Sequence, residues 1–382
     1  MAGASTIGLI SADSHVNEPR DLWLSNLPPR LREHAMQGIE SSGDGGWELI
    51  IDGHHIGKTG TTEAERLEMI KPERRLEVLR EEGIAGECIF PTIGLYVWAL
   101  TDPDGGQASC RIYNEWINDQ LESRSPRFRC AGLVPTWRVE DALAEVRFIA
   151  EQGLAAVMLP AVVEPSWNHR QWEPLWAAIA ETGLPVVMHQ GTGHSMIWYR
   201  GPGATVANLM ATQTIAPRTA TMLATSGILE RHPDLHVVFV EFNAGWLAWT
   251  MSTIDFYTES FRRYGTTDNM GSSRALTHPH HGKPPKPVIN PELAEPPSFY
   301  LARQVHGTFQ DDPVAIANVH ITGPGPLMWG SDYPHEEGTY PWTKDTVDRL
   351  SEPLGPEETA LVFRDTAARI FGFEPEVLTT PV

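Results

Sequence analysis

The chain has 382 residues, of which 41% are hydrophobic and 20% charged, and its formal net charge at pH 7 is −20. This composition is typical of a globular protein with a large core and argues against disorder. Phosphate backbones and anionic lipid would repel so negative a chain, so we expect a small-molecule substrate and neither nucleic acid nor a membrane as partner.

Short apolar segments alternate with amphipathic segments along most of the chain, as in folds whose parallel strands are buried on both faces. The predicted strands are 7–13, 87–92, 128–134, 155–160, 184–189, 236–241 and 326–332, with 302–309 as a further one. The predicted helices are 107–123, 139–152, 171–182, 214–230, 246–262 and 343–353. This rhythm predicts the α/β class and one (β/α)8 TIM barrel, a single domain over residues 1–382.

Two segments interrupt the rhythm and are predicted to be insertions. Residues 34–70 contain Asp52-Gly53 between strand-like segments, which predicts a β-hairpin over the barrel mouth. Residues 265–300 are rich in Pro, Gly and His, too Pro-dense for a helix or a central strand. We expect this excursion to cover the site or to contact a second subunit.

The cysteines and the first residues suggest a compartment. Cys88, Cys110 and Cys130 are odd in number and form no C-x-x-C pair, which favours reduced thiols. The opening sequence MAGASTIGLISADSH has no basic stretch followed by a long apolar segment. We therefore predict a cytoplasmic location.

Several predicted strands end in a side chain that can bind a metal. The first ends in Asp13, and His15 two residues later lies on the same side of an extended strand. His189, Glu241 and Asp332 end three later strands. The carboxyl ends of barrel strands meet at one face, and a shared divalent cation would offset the cost of burying these groups there.

Each of these residues also has an ordinary structural interpretation. Asp13 and Asp332 could cap helices, and His189 could be a core histidine bonded to a carbonyl group. Glu241 is harder to explain in this way, because Glu is a weaker helix cap than Asp. The agreement of four strand ends favours a metal site.

Motifs spread along the chain resemble one known family. They read ADSHVNEPRDLW, YNEWINDQL, LVPTW, LPVVMHQGTG, HPDLHVVFVEFNAGW and MWGSDYPHEEGTYP. The chain resembles the amidohydrolase-related family, which includes metal-dependent decarboxylases acting on aromatic and amino-muconate acids. The resemblance implies a metal-dependent hydrolase type of barrel in which Asp13, His15, His189 and Asp332 take the metal-ligand positions.

The sixth strand departs from the pattern of that family. Its decarboxylases and hydrolases usually carry a histidine there that assists proton transfer, whereas this chain has Glu241 in VEFNAGW. Relatives with an acidic residue at this position include nonheme oxygenases with two iron ions. The resemblance therefore leaves the reaction type open.

The predicted donor set is rich in oxygen. His335 and His194 lie close enough in sequence to join it, and we assign possible catalytic roles to Glu241, His335 and His194. Carboxylates with imidazoles suit iron or manganese and can bridge two ions, but a single zinc is also compatible. We count His335 among the metal ligands. His335 and Glu18 could instead orient the ligands without binding the metal.

The substrate pocket is predicted to be partly aromatic. Its candidate residues follow strand ends and are Tyr96, Trp98, Met196, Trp198 and Tyr199. Arg111, Arg200 and Arg218 could clamp a substrate carboxylate or form surface ion pairs. No nucleotide-binding loop or G-x-S-x-G elbow occurs.

The sequence is compatible with three functions. The slightly favoured one is a dinuclear iron monooxygenase that hydroxylates a C–H bond of an apolar small-molecule acid or derivative. The alternative is a decarboxylase or hydrolase with one Zn or Mn ion, and the third is a catalytically idle barrel. We also expect a homodimer, the commonest oligomer, and the sequence does not identify the substrate.

Overall fold

The computed structural model describes residues 8–40, 47–59, 62–193, 199–264, 292–380 and 382. The described strands are β1 (Leu9–Val16), β2 (Gln37–Glu40), β3 (Trp47–Ile51), β4 (His54–Thr59), β5 (Ile84–Pro91), β6 (Phe128–Leu133), β7 (Ala156–Pro160), β8 (Val186–His189), β9 (Val237–Val240), β10 (Val305–Phe309) and β11 (Leu327–Trp329). Eight of them form a parallel sheet in the order β1-β5-β6-β7-β8-β9-β10-β11. Helices between these strands complete the predicted (β/α)8 barrel, which is confirmed.

The helices fill the connections between strands. They are α1 (Leu22–Asn26), α2 (Glu63–Met69), α3 (Pro72–Glu82), α4 (Pro103–Gln120), α5 (Val139–Gln152), α6 (Glu173–Thr182), α7 (Ala204–Gln213), α8 (Ile215–Thr225), α9 (Ile228–Arg231), α10 (Trp246–Tyr264), α11 (Pro297–Gln304), α12 (Pro313–Ala317), α13 (Val319–Thr322), α14 (Thr343–Ser351), α15 (Pro356–Ala360), α16 (Thr366–Ile370) and α17 (Pro375–Thr379). The predicted helix 214–230 is two helices, α8 and α9, because Gly227 adopts a left-handed conformation with φ 78° between them.

The barrel closes through a seam between β1 and β11, the two ends of the strand order. Ser14 and Tyr333 form an isolated parallel bridge there. The main-chain N–H of His15 donates to the Tyr333 carbonyl oxygen at 2.6 Å, and that of Asp332 donates to the Asp13 carbonyl oxygen at 2.7 Å. This seam therefore carries residues of the predicted metal set on both sides.

The predicted hairpin insertion is a three-stranded antiparallel sheet of β2, β3 and β4, followed by α2. Asp52 and Gly53 connect β3 to β4 with φ angles of 47° and 74°, as a two-residue hairpin turn requires. The Asp52 carboxylate accepts hydrogen bonds from the Thr101 main-chain N–H at 2.8 Å and its hydroxyl at 2.7 Å. Because Thr101 lies in the connection after β5, the insertion is tied to the carboxyl end of the barrel.

The second predicted insertion differs from expectation at its end. Residues 265–291 lie outside the described residues, but 297–304 form α11, with Pro297 in its first turn. Proline is tolerated there because its missing N–H has no helical partner at that position. The strand predicted from residue 302 consequently begins only at Val305.

The core fills the barrel and the space under its helices. Strand β7, with the sequence AVMLP, is buried along its whole length, as are β8 and β9. The thiols of Cys88, Cys110 and Cys130 are free and buried in this core. In the part of the chain that the structure describes, no helix is long and apolar enough to cross a membrane.

Candidate metal centre

The strand ends bring the predicted metal-binding side chains together. Asp13 and His15 lie on β1, His189 is the last residue of β8, and Glu241 and Asp332 follow β9 and β11 closely. Asp13, His15, His189 and Asp332 are fully buried. Because all eight strands run in parallel, these side chains meet at the carboxyl end of the barrel.

The two histidines are held as neutral rings that face each other. The Nδ1–H of His15 donates to the Pro91 carbonyl oxygen at 2.9 Å, and that of His189 donates to the Gln190 carbonyl oxygen at 2.8 Å. Burial lowers the pKa of His189 to about 3 and that of His15 well below its usual value. Each Nε2 therefore carries a lone pair, and the two Nε2 atoms lie only 3.0 Å apart. A cation between them would turn this repulsion into ligation.

Two carboxylates approach the same point. Asp13 Oδ1 and Asp332 Oδ1 each lie 3.7 Å from His15 Nε2. Asp13 Oδ1 and Asp332 Oδ2 accept no hydrogen bond from any described residue, although both are buried. Burial, and then the charge of Asp332, raise the pKa of Asp13 well above its usual value. Buried carboxylate oxygens without donors, beside neutral imidazoles, fit a divalent metal ion.

Glu241 and His335 extend the cluster toward solvent. Glu241 Oε2 lies 3.2 Å from His189 Nε2 and 3.9 Å from His15 Nε2. The His335 ring stacks on His15 with 4.2 Å between centroids, and its Nδ1 lies 2.9 Å from Asp332 Oδ1. Burial lowers the pKa of His335, but the hydrogen bond and charge of Asp332 outweigh it and raise the pKa overall.

The potential ligand atoms fall into two overlapping groups that share His15. One group comprises His15, Glu241, Asp332 and His335, and the other comprises Asp13, His15 and His189. Within each group the atoms lie within 4.8 Å of one another. The geometry is therefore compatible with one ion in the deeper group or with two neighbouring ions.

Two of these side chains are presented by strained backbone. Glu241 has φ 66° and Asp332 has φ 57°, values in the left-handed region that side chains other than glycine seldom adopt. Such a conformation costs about 1–3 kcal/mol and persists only where the surrounding contacts impose it. In both cases the strained residue lies close after a strand, and its carboxylate joins the cluster around His15.

A cavity of about 480 Å³ opens beside Glu241 and His335. Its other described lining residues are mainly apolar or uncharged polar side chains: Thr92, Leu95, Tyr96, Gln190, Gly191, Thr205, Asn208, Leu209, Thr212 and Glu337. The volume and the mixed lining suit a small organic molecule.

The predicted pocket residues are distributed differently. Tyr96 lines the cavity, whereas Trp98 is buried and its indole N–H donates to the Val134 carbonyl oxygen at 3.0 Å. Tyr199 is about half exposed, and its main-chain N–H donates to the side chain of Asn208, a residue of the cavity wall, at 2.8 Å. The pocket candidates Met196 and Trp198 and the catalytic candidate His194 lie outside the described residues.

Glu18 and the arginines have structural contacts. The Glu18 carboxylate accepts from the main-chain N–H groups of Ile93 at 2.9 Å and Gly94 at 2.8 Å, and so fixes the loop that leads to Tyr96. Arg111 forms an ion pair with Glu145 at 2.8 Å between helices α4 and α5. Arg200 and Arg218 are exposed, and none of the three arginines lines the cavity.

Two polar residues beside the centre were not predicted. Thr308, in β10, and Gln310, just after it, both donate to Asp13 Oδ2. The available signal was their position, since Gln310 directly follows a predicted strand. Their uncharged side chains gave no indication that they contact a carboxylate from β1.

Known structures with a similar fold include an amidohydrolase from Mycobacterium avium subsp. paratuberculosis K-10, with a TM-score of 0.71, 18% identity, and coverage of 96% of this chain and 100% of that one. A 5-carboxyvanillate decarboxylase from Novosphingobium aromaticivorans, complexed with manganese and a nitrobenzoic acid, has a TM-score of 0.68, 16% identity, and coverage of 97% and 98%. A dihydroxybenzoic acid decarboxylase from Polaromonas sp. JS666, with manganese and 2-nitroresorcinol, has a TM-score of 0.61, 17% identity, and coverage of 97% and 99%.

These identities are low, so the structures establish the fold alone. No curated protein matches the sequence at a significant level. The sequence model of the amidohydrolase family, in contrast, matches residues 13–266 and 275–373, which is most of the chain. The match includes every strand end that contributes to the cluster around His15. The chain thus belongs to the amidohydrolase family of metal-dependent enzymes.

Proposed function

We propose that the enzyme is a nonoxidative decarboxylase that uses one divalent metal ion to release CO2 from a small aromatic carboxylic acid. The observation that carries the proposal is the place of Glu241, an acid that lies between the buried histidines and the cavity. Manganese-containing decarboxylases among the similar structures support this alternative better than the oxygenase that the sequence slightly favours.

Asp13, His15, His189 and Asp332 would hold the ion. When bound, a divalent cation supplies positive charge that binds and orients a substrate carboxylate. The residues around it bury this end of the substrate, because all four side chains are excluded from solvent. The apolar part of the substrate would lie in the cavity against Leu95, Tyr96 and Leu209.

Glu241 is suited to supply the proton that replaces the carboxylate. Burial, followed by the charges of Asp332 and Asp13, raises the pKa of Glu241 well above its usual value. A bound cation would lower the pKa of Glu241 and so oppose this rise. The pH profile of the metal-loaded enzyme would show the net effect on Glu241.

The proton transfer balances without any external oxidant or reductant. The Glu241 carboxyl group donates its proton to the ring carbon that bears the carboxylate. The bond to that carboxylate then breaks, its electron pair stays with the ring, and CO2 leaves. Glu241, whose side chain is 18% exposed, regains a proton from water on the cavity side.

The cavity wall favours a substrate with a single carboxylate. Its acidic lining residues are Glu241 and Glu337, and no Arg or Lys occurs among the described residues that line it. A second carboxylate in the cavity would therefore be repelled. We expect 2,6-dihydroxybenzoate to be a better first probe than the dicarboxylate 5-carboxyvanillate.

A dinuclear iron oxygenase is the second candidate, favoured by the two groups of ligand atoms that share His15. A second ion would use Glu241 and His335 in addition to the deeper ligands, as carboxylate bridges allow. Hydroxylation would consume dioxygen and two electrons from an external donor. An idle barrel, the third hypothesis, gives no reason for buried carboxylate oxygens without donors.

Metal content separates the two reactions. We would purify the protein and Glu241→Gln anaerobically, measure bound metals by elemental analysis, and assay CO2 release and O2 consumption with hydroxybenzoic acids. The decarboxylase predicts one equivalent of metal in both proteins and CO2 release that falls by about 10²-fold or more in the variant.

The oxygenase predicts a different metal content. Two equivalents of iron in the wild type, falling to one in Glu241→Gln, would overturn the decarboxylase and support the oxygenase. The absence of bound metal in the wild type, even after reconstitution with manganese, would overturn both.

A further inference from the structure

The two oxygens of the Asp13 carboxylate have different surroundings. Oδ2 accepts hydrogen bonds from the Gln310 side-chain amide at 3.0 Å and from the Thr308 hydroxyl at 3.3 Å. Oδ1 accepts none from any described residue and lies 3.7 Å from His15 Nε2. Oδ2 is thus hydrogen-bonded to the protein, whereas Oδ1 faces the metal centre.

We propose that Thr308 and Gln310 are positioning residues that hold Asp13 so that only Oδ1 binds the metal. Neither side chain is a metal ligand in this assignment, because both point to the far oxygen of Asp13. The inference rests on the metal centre and not on the reaction that the centre catalyses, so it stands equally for a decarboxylase or an oxygenase.

Thr308 also connects Asp13 to Glu241. Its hydroxyl oxygen accepts the main-chain N–H of Glu241 at 2.9 Å, while its single proton is directed to Asp13. The Glu241 carbonyl oxygen accepts from the Gln213 side chain at 3.2 Å. These two bonds hold the strained backbone of Glu241, so one buried hydroxyl contacts both Asp13 in β1 and the residue that follows β9.

Loss of the two donors should weaken metal binding. Without them the carboxylate of Asp13 is free to rotate and to present both oxygens. Removal of such outer contacts typically costs about 10–100-fold in metal affinity. We therefore expect Gln310→Met and Thr308→Val each to raise the dissociation constant for Mn²⁺ by about tenfold or more.

The affinity can be measured without a substrate. Free Mn²⁺ gives an electron paramagnetic resonance signal that diminishes on binding, so titration of the metal-free protein yields the dissociation constant. Thr308→Ser keeps the hydroxyl and should restore affinity to within about threefold of the wild type. This rescue distinguishes the hydrogen bond from packing of the threonine methyl group.

Gln304 provides a matched control at the other end of the same strand. Its side-chain amide donates to the His232 and Leu235 carbonyl oxygens at 2.7 and 2.9 Å, just before β10 begins. Gln304→Met removes these two hydrogen bonds and the two that its side-chain oxygen accepts from Arg303, but none at the metal centre. We expect it to lower the melting temperature and to leave Mn²⁺ affinity unchanged.

A second measurement tests the binding of a single oxygen. In Co²⁺-loaded protein, visible absorption weakens as the coordination number rises, so Gln310→Met should absorb less strongly than the wild type. An unchanged cobalt spectrum would refute the assignment, as would wild-type Mn²⁺ affinity in Gln310→Met or an equal loss of affinity in Gln304→Met. If Thr308→Val fails to fold, Gln310→Met alone tests the assignment, because Gln310 is only half-buried and its replacement should be tolerated.

Discussion

At the scale of single residues, the metal centre depends on groups that bind no metal. Arg75, fully buried at the end of the first turn of α3, donates to both Glu87 carboxylate oxygens at 2.7 and 2.8 Å. Its third contact is the His15 carbonyl oxygen at 2.8 Å. A buried ion pair between α3 and β5 therefore also fixes the backbone beneath a candidate ligand.

Replacement of Arg75 should be strongly destabilising. Arg75→Met leaves the Glu87 carboxylate buried without its partner, which we expect to lower the free energy of unfolding by about 3–5 kcal/mol. Urea denaturation measures this change. The neighbouring Arg74 pairs with Glu77 on the surface, and Arg74→Met should cost less than about 1 kcal/mol. Similar losses in the two variants would contradict the role of the buried pair.

At the scale of elements, the approach of β11 to β1 sets the distance between ligands. A Cβ atom on Gly330 would lie 2.3 Å from the Asp13 Cβ and 2.8 Å from the Asp13 main-chain nitrogen. The backbone cannot yield locally at that position, because Asp332, two residues later, is bonded to the Asp13 carbonyl oxygen. The two strands can lie this close only while residue 330 has no side chain.

Gly330→Ala should therefore move β11 away from β1 and weaken metal binding. We expect at least about a tenfold loss of Mn²⁺ affinity, together with a lower melting temperature. At Gly325, near the opposite end of β11, an added Cβ would meet no atom within 4 Å, so Gly325→Ala serves as the control. If Gly330→Ala binds Mn²⁺ as Gly325→Ala does, the close approach has no bearing on the metal site.

The sequence predicts elements well where the signal is local. Helix α5 has the predicted bounds 139–152, and the Asp52-Gly53 turn lies where its residues require it. Helix α3 was missed although Pro72 at its start and Gly83 at its end are ordinary boundary signals. Helices of four or five residues, such as α12 and α13, depend on tertiary packing and leave little pattern to detect.

The candidate site, too, could be predicted where the signal is local in sequence and not where it depends on tertiary contacts. Asp13, His189, Glu241 and Asp332 could be placed because each ends a predicted apolar strand, and His15 because it lies two residues after Asp13; strand ends converge in a barrel. Contacts made across strands could not, since the hydrogen bonds of Thr308 and Gln310 to Asp13 join residues about 300 positions apart. The homodimer and the cytoplasmic location remain predictions.

At the scale of the whole molecule, the two ends of the barrel differ in their titratable groups. At the end opposite to the metal centre, the His236 Nδ1–H donates to His306 Nε2 at 3.1 Å, and the His306 Nδ1–H donates to the Gly325 carbonyl oxygen at 3.0 Å. Burial, and then the charge of His236, lower the pKa of His306 to about 3. Burial likewise lowers the pKa of His236 to about 4.

This pair should make the fold less stable in mild acid. Because the pKa of His306 is lower in the folded chain than its usual value of about 6.5, the unfolded chain binds the proton first. The stabilisation is complete above pH 6.5 and is lost progressively as the pH falls toward 3. Between pH 7 and pH 5 this one group should remove about 2 kcal/mol of unfolding free energy.

The effect can be isolated with His306→Gln, which retains a donor and an acceptor. Unfolding free energies from urea denaturation with a chelator present, at pH 7 and pH 5, should differ by about 2 kcal/mol less in the variant than in the wild type. The exposed His320 offers a control, and His320→Gln should behave as the wild type does. Equal pH dependence in all three proteins would exclude the His306 contribution.

The seam between β1 and β11 has a consequence for biosynthesis. Asp13 and His15 are synthesised more than 300 residues before Asp332 and His335. The ligand set is therefore incomplete on any nascent chain that lacks its last strand. A chain truncated before β11 would lack the Asp332 side of the pocket, so we expect full metal affinity only once β11 has been made and the barrel has closed.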